Sequence, residues 1–116
     1  MAIGGVLFDI DGVLVTSWKP IEGAAETLQV MACNQIACSY LTNTTTRTRV
    51  QIAELLTQAG MQVRADEVIT AAVLTAEYVR NRYPDARCFL VNSVAQSDLP
   101  SDLRGIISIP FENLRT

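Results

Sequence analysis

Two aspartates separated by one residue stand where the first apolar run of the chain ends. Asp9 lies near the end of the run at residues 3–10, and Asp11-Gly12 follow it directly. Side chains at positions i and i+2 of an extended chain lie on the same side. At the carboxyl end of a parallel strand, such a pair can bind Mg²⁺, and one member can attack an electrophilic phosphorus. The alternative is a surface turn in which Asp11-Gly12 only ends the strand.

A second polar stretch follows the next apolar run. Residues 42–46, which include Thr42 and Asn43, come after the run at 36–41 and lead into a helical pattern. We expect a hydroxyl, an amide and free backbone N–H groups of the helix N-terminus to meet there, an arrangement that binds anions. The alternative is that residues 44–46 only cap the helix. Since strands close in sequence are usually neighbours in a sheet, both polar loops should open onto one edge.

The composition removes several other classes of site. The 116 residues include no histidine, which excludes Ser-His-Asp and Cys-His catalysis and zinc sites with imidazole ligands. The net charge of -3, without a basic cluster, excludes a nucleic-acid binder. No apolar stretch is long enough to span a membrane. Three cysteines without CxxC spacing, Cys33, Cys38 and Cys88, predict buried reduced thiols in a cytoplasmic protein.

Alternating patterns predict the elements that position these loops. Strands are expected at residues 3–10, 36–41, 88–91 and 106–109, and the first should be buried on both faces. Helices are expected at 22–33, 46–59 and 66–82, the last capped by Asp66 and buried along Ala72, Ala76, Val79 and Tyr83. Ile52, Leu55, Leu56 and Ala59 form the apolar stripe of the second helix, and Gly60 ends it. This order predicts an α/β fold with a parallel sheet.

Three motifs in this order resemble the haloacid dehalogenase (HAD) superfamily of phosphatases: DxDGVL at 9–14, GA at 23–24 in the first helix, and LTNT at 41–44 before a helix with Arg49. The resemblance runs almost from end to end. TNTT at 42–45 and DEVITAA at 66–72 are similar to the C2-capped subfamily IIA, most closely to the branch that contains the phospholysine phosphohistidine inorganic pyrophosphate phosphatase. The resemblance implies the N-terminal part of a Rossmann-like HAD core at residues 1–70 and the beginning of a C2-type cap at 71–116.

The resemblance also implies a role for each site residue. Asp9 would attack the phosphoryl group and become an aspartyl phosphate, and Asp11 would protonate the leaving oxygen and then activate water. Thr42 and the backbone of Asn43 would hold phosphoryl oxygens, while Gly12 would let the backbone approach the phosphate. Mg²⁺ would touch Asp9 and the Asp11 carbonyl, and the substrate would be a small phosphorylated metabolite.

Two parts of the family's catalytic set have no clear counterpart. The family uses a lysine near the phosphate, whereas the only lysine here, Lys19, directly follows the first loop. The family also has a later acidic motif. The segment SDLPSD at 97–102 fits the loose spacing of that motif, but we interpret this segment as the start of the cap. We therefore expect the chain to stop partway through the cap, to be weak or inactive alone, and to cover its open sheet edge by association, for example as a homo-oligomer.

Two other interpretations stay open on the residues alone. A receiver domain of a two-component system has a similar length and an acidic pair after its first strand, but its phosphoacceptor should end the third strand, where Asn92 stands here. A non-catalytic phosphate-binding or assembly module would share every feature of the phosphatase except turnover.

Overall fold

The computed structural model describes residues 2–91, 102, 103, 107 and 108. The elements in chain order are β1 (Val6–Asp9), β2 (Val15–Thr16), β3 (Lys19–Pro20), α1 (Ala24–Cys33), β4 (Cys38–Thr42), α2 (Arg49–Gln58), a 3-10 helix (Ala65–Glu67), β5 (Val68–Thr70), α3 (Ala71–Arg82), β6 (Arg87–Cys88) and β7 (Ile107–Ser108).

A parallel sheet in the order β1-β4-β5 forms the centre of the fold. Phe8 lies beside Tyr40, and Tyr40 lies beside Val68, so these three residues share one face. The sheet confirms the predicted α/β class and the expectation that the first two main strands are neighbours. Because both strands run the same way, Asp9 and Thr42 end at the same edge.

The two faces of this sheet differ in burial. The face with Tyr40 and Val68 belongs to the hydrophobic core, to which α1 contributes Leu28 and α2 contributes Ile52 and Leu56. On the other face, Leu7 is 68% exposed. The prediction of a first strand buried on both faces is therefore wrong for the described part of the chain, because α1 and α2 supply their apolar side chains to one face only.

The helix α2 keeps Ile52 and Leu56 of the predicted stripe buried, whereas Leu55 and Ala59 are half-buried, and it begins later than predicted. Ile52 and Leu56 are fully buried, and Gly60 follows the helix with a φ of +91° that favours glycine. The helix begins at Arg49 because the Thr48 side chain accepts a hydrogen bond from the N–H of Gln51.

The predicted helix at 66–82 divides into a short turn, a strand and a helix. Val68 and Thr70 are buried and Ile69 between them is half-buried, which is the alternation of a strand at the edge of the sheet. Asp66 belongs to the preceding 3-10 helix, and Thr70 caps α3 by accepting from the N–H of Val73. The prediction of Asp66 as the helix cap is therefore wrong.

The face that α3 buries also differs from the prediction. Val73 and Ala76 are the buried residues of this helix. Tyr83, which we expected on the buried face, is 54% exposed.

Two short pairs of strands complete the described fold. β6 and β7 pair in parallel as a separate sheet and do not extend the central one. The third and fourth predicted strands therefore exist, but they are shorter than predicted and lie outside the central sheet. β2 and β3 form an antiparallel hairpin that the sequence patterns do not predict. Ser17 and Trp18 at its tip both have positive φ angles, as the two central residues of a tight hairpin turn require.

The cysteines and the helix lengths bear on the remaining expectations. Cys33, Cys38 and Cys88 are free thiols, but Cys33 is exposed, so the prediction of three buried thiols is wrong for that residue. Within the described residues, no helix has the length and apolar character needed to cross a membrane.

Burial of Tyr40 makes the free energy of unfolding depend on pH in the alkaline range. Burial, followed by the charges of Cys38 and Glu67, raises the pKa of the Tyr40 phenol to about 12. In the unfolded chain the pKa of tyrosine is about 10, so the native state holds this proton more tightly between these two values. We expect the contribution of Tyr40 to the free energy of unfolding to be constant below about pH 10. Between pH 10 and 12 this free energy should fall by up to about 2–3 kcal/mol.

Chemical denaturation across this pH range tests the expectation. Tyr40→Phe should remove the part of the fall that belongs to Tyr40, whereas Tyr83→Phe, which alters an exposed tyrosine, should keep it. An equal fall in the wild type and Tyr40→Phe would contradict the assignment to Tyr40.

Candidate functional site

The acidic turn is held by the residue between its two aspartates. Ile10 is 1% exposed, and its carbonyl accepts hydrogen bonds from the N–H groups of Leu14 (3.0 Å) and Val15 (3.2 Å). The chain therefore turns back at once, with Leu14 and Val15 also buried. Asp9 and Asp11 are exposed on either side of this anchor, so their carboxylates face away from the core. The N–H of Ile10 also donates to Oδ1 of Asp9 at 2.8 Å, which orients that carboxylate.

Gly12 shapes the turn but does not offer a free backbone donor. Its φ of +79° lies in the region that glycine adopts without strain, and no atom lies within 4 Å of the place a Cβ would take. Its N–H donates to the carbonyl of Val15 at 2.8 Å. The structure therefore gives Gly12 the open space that a close approach of phosphate needs, with its own N–H already bonded.

The threonine loop begins at the edge of the sheet. Thr42, the last residue of β4, is 9% exposed, and its Oγ1 accepts from the N–H of Thr44 at 3.2 Å. The two hydroxyls are 2.9 Å apart, with that of Thr42 donating. Asn43 between them is exposed. The small turn thus holds one hydroxyl and one amide side chain next to the end of the strand.

The N-terminus of α2 does not supply the anion donors that we expected from it. The N–H of Arg49 donates to Oδ2 of Asp102 at 2.9 Å, and the N–H of Gln51 donates to Oγ1 of Thr48. Both donors are thus bonded within the protein. The expectation of free helix N–H groups is wrong for these two residues. The alternative of a cap from residues 44–46 is also wrong, because Thr48 is the cap.

The two loops open into one depression at the carboxyl edge of the sheet. Asp9, Asp11, Thr42 and Asn43 all line it, as the neighbouring strands predict. Thr70, fully buried at the end of β5, lines it too and was not predicted as a site residue. The three consecutive β-branched residues Val68, Ile69 and Thr70 before a helix were the sequence signal for that strand. The remaining walls are mostly apolar and comprise Leu7, Phe8, Leu41, Ile69, Ala71 and Leu74.

The donor set at this edge fits magnesium. Asp9 and Asp11 offer oxygen ligands only, and Mg²⁺ is commonly held by one or two carboxylates together with water and phosphate oxygens. In the part of the chain that the structure describes, no group of three or more Asp, Glu, His or Cys side chains is placed to hold a metal. A cation here would therefore depend on the two aspartates and on the oxygens of a bound phosphate.

A family match bears on how the aspartate pair at this edge is interpreted. Residues 6–103 match the family described as haloacid dehalogenase-like hydrolase. The chain belongs to this family. The match contains both loops, and it favours the HAD interpretation of the aspartate pair over that of a receiver domain.

Phosphatases are among the relatives of this HAD chain. The acid sugar phosphatase of Staphylococcus epidermidis is 34% identical over 85 residues, which are 73% of this chain and 33% of that protein. NagD from E. coli K-12 has a TM-score of 0.76 at 28% identity, covering 89% of this chain and 40% of that one. The p-nitrophenyl phosphatase from Archaeoglobus fulgidus has a TM-score of 0.78 at 27% identity, covering 94% and 41%.

The family match and these relatives confirm the resemblance to the HAD superfamily and its subfamily IIA, with the α/β fold of that group. This chain spans about a third of the length of the curated relatives it matches.

Asp102 is the one described residue of the later acidic segment. Its partner is Arg49, whereas a residue of an acidic metal motif would face a metal ion. Its side chain is 2% exposed, and its Oδ1 lies 3.1 Å from Nε of Arg49. Asp102 therefore binds both the backbone and the guanidinium of Arg49, 53 positions away in sequence. Asp98 of the same segment lies outside the described residues.

The buried Asp102 is expected to stabilise the fold measurably. Asp102→Ala removes two hydrogen bonds to a charged, half-buried partner, and we expect the free energy of unfolding to fall by about 1.5–3 kcal/mol. The control is Asp66→Ala, which removes an exposed ion pair with Arg64 and should change this free energy by less than about 1 kcal/mol. Urea unfolding of both variants measures the difference, and equal losses would contradict a structural role for Asp102.

Proposed function

We propose that the depression at the carboxyl edge binds the phosphoryl group of a small phosphorylated metabolite. We further propose that the protein hydrolyses this group with Mg²⁺ through an aspartyl phosphate on Asp9. The observation that carries the proposal is the meeting of Asp9 and Asp11 with Thr42 and Asn43 around one depression, with both aspartates facing away from the core. The printed names of the relatives, acid sugar phosphatase and p-nitrophenyl phosphatase, support the same chemistry.

Asp9 is the proposed nucleophile. The hydrogen bond from the N–H of Ile10 to Oδ1 orients the carboxylate and leaves Oδ2 as the attacking atom. Its attack on phosphorus forms the acyl phosphate while the bond from phosphorus to the leaving oxygen breaks. This divides the hydrolysis into two steps.

Asp11 is the proposed proton carrier for both steps. In the first it gives a proton to the leaving oxygen, and in the second it takes a proton from the water that attacks phosphorus. The second step releases inorganic phosphate and restores the carboxylate of Asp9. Because Asp11 is exposed next to Gly12, both the leaving group and the water can reach it.

Thr42 and Asn43 are the proposed phosphate ligands. The Thr42 hydroxyl donates to Oγ1 of Thr44, and we propose that it turns to donate to a phosphoryl oxygen when the substrate binds. The loop can accept this change because the oxygen of the Thr42 hydroxyl still accepts from the N–H of Thr44 when its hydrogen turns away.

Charge is the reason for a cation at this site. A carboxylate and a phosphoryl charge about 4 Å apart repel by about 4 kcal/mol at an effective dielectric constant of 20. Asp9 and Asp11 would hold Mg²⁺, which when bound supplies the positive charge that offsets this repulsion.

The substrate and the activity of this chain alone are also proposals. The name of the acid sugar phosphatase relative makes a phosphorylated sugar the first substrate to test. We expect weak or absent turnover by residues 1–116 alone, because Lys19 is the only lysine and follows the first loop directly. The division into a core at 1–70 and the beginning of a cap at 71–116 is part of the same proposal.

Labelling with acetyl phosphate and Mg²⁺ tests the proposed chemistry separately from turnover. We expect one phosphoryl group on Asp9, located by peptide mass spectrometry and absent in Asp9→Asn. Asp11→Asn should keep the label and lose it more slowly, by about 10²–10⁴-fold, since the residue that activates water is missing. Asp66→Asn, an exposed aspartate outside the depression, should label like the wild type.

Two results would contradict the proposal. Labelling at another residue, as expected for a receiver domain, would refute Asp9 as the nucleophile. Magnesium-dependent binding of beryllofluoride without any labelling would leave a phosphate-binding module and refute the catalytic role.

A further inference from the structure

Arg47, in the segment that follows Thr42, contacts Trp18 at the tip of the hairpin that follows the acidic turn. The guanidinium carbon of Arg47 lies 5.4 Å from the centroid of the Trp18 ring, within the range of a cation–π interaction. Trp18 is half-buried and packs against the hydrophobic core, whereas Arg47 is exposed. The ring is therefore a surface packed on the core, against which the exposed cationic side chain of Arg47 lies.

Trp18 is joined to the acidic turn through the hairpin β2–β3. The N–H of Gly12 donates to the carbonyl of Val15, and the N–H of Ile21 donates to the carbonyl of Leu14 at 2.9 Å. Both ends of the hairpin are thus bonded to the turn that carries Asp11. The hairpin that carries Trp18 is therefore bonded directly to that turn.

The tip of the hairpin holds two residues in an unfavourable backbone conformation. The φ angles of Ser17 (49°) and Trp18 (62°) lie in the left-handed region, which glycine and asparagine adopt more readily. Such a conformation persists where surrounding contacts hold it, and it is frequent at functional sites. Packing of the Trp18 ring on the core and against Arg47 is a contact of that kind.

Arg47 belongs to a part of the threonine loop that the sheet does not hold. Thr42 is fixed by pairing with Thr70, and Thr48 is fixed as the buried cap of α2. Residues 43–47 between them belong to no helix or strand. The contact with Trp18 therefore ties this segment to the acidic turn at a point where backbone pairing does not.

We infer that Arg47 and Trp18 are positioning residues, whose contact sets how the loop of Thr42 and Asn43 lies against the turn of Asp9 and Asp11. The inference rests on the proposed phosphate site and adds two residues that hold its halves together. A group that attacks phosphorus must be aligned with the groups that hold the phosphoryl oxygens, so loss of this contact weakens binding without removing a ligand.

The experiment uses the single tryptophan of the chain as its reporter. Arg47→Met removes the charge and keeps the length of the side chain, Arg47→Lys keeps a cation, and Arg64→Met removes an exposed arginine elsewhere as the matched control. Three quantities are measured on residues 1–116: the emission of Trp18, the exchange rate of the Thr44 amide in ligand-free protein, and the affinity for beryllofluoride with Mg²⁺.

We expect Arg47→Met to shift the emission of Trp18, to speed exchange of the Thr44 amide and to weaken beryllofluoride binding by about two- to five-fold. Arg47→Lys should restore most of the affinity, and Arg64→Met should match the wild type in all three measurements.

The outcomes separate this inference from the proposed function. If the wild type does not bind beryllofluoride but Arg47→Met still speeds exchange of the Thr44 amide, the phosphate site fails and the positioning contact stands. If emission shifts while exchange and affinity both stay at wild-type values, the contact exists and positions nothing, which overturns the inference. Unchanged emission in Arg47→Met would show that the contact does not form in solution and would overturn it as well.

Discussion

Ile10 stands between the two aspartates, and its burial is the constraint from which the geometry of the edge follows. A side chain that enters the core at one position of an extended strand turns its neighbours away from the core. The carbonyl of Ile10 also receives the hydrogen bonds that close the turn, so Leu14 and Val15 are buried directly after it. The hairpin that carries Trp18 begins at that turn. An acidic pair, a tight turn and a hairpin thus depend on one buried isoleucine.

The parallel sheet brings the second loop to the first. Pairing of Asp9 with Leu41 and of Thr42 with Thr70 brings the ends of three strands into line. Beyond that line the chain is held by side chains: Thr48 and Asp102 fix the start of α2, and Arg47 rests on Trp18. Two donors of the helix N-terminus, the N–H groups of Arg49 and Gln51, are bonded within the protein, and the proposed function assigns the anion to Thr42 and Asn43 at the end of the strand instead.

The sequence was sufficient for the features that depend on local patterns. The DxDGVL and LTNT motifs, the buried stripe of α2 and the parallel pairing of the first two strands follow from residue type and spacing, and the family match confirms the resemblance they suggested. The third strand of the central sheet, β5, was missed because Val68–Thr70 is short and continues directly into α3. The periodicity of a strand and that of a helix therefore meet within a few residues. The hairpin was missed because neither Ser17 nor Trp18 is a residue that favours the positive φ of a two-residue hairpin turn. The partner of Asp102 was beyond prediction, since a contact across 53 positions leaves no local pattern.

Amide chemical shifts test directly whether a phosphoryl group binds between the acidic turn and the threonine loop, as we propose. Mg²⁺ and beryllofluoride, a mimic of the phosphoryl group, are added to ¹⁵N-labelled protein. We expect the largest shifts on the amides of Ile10, Gly12, Asn43 and Thr44. Largest shifts at the N-terminus of α2, from Arg49 to Ile52, would place the anion on the helix and contradict the proposed site.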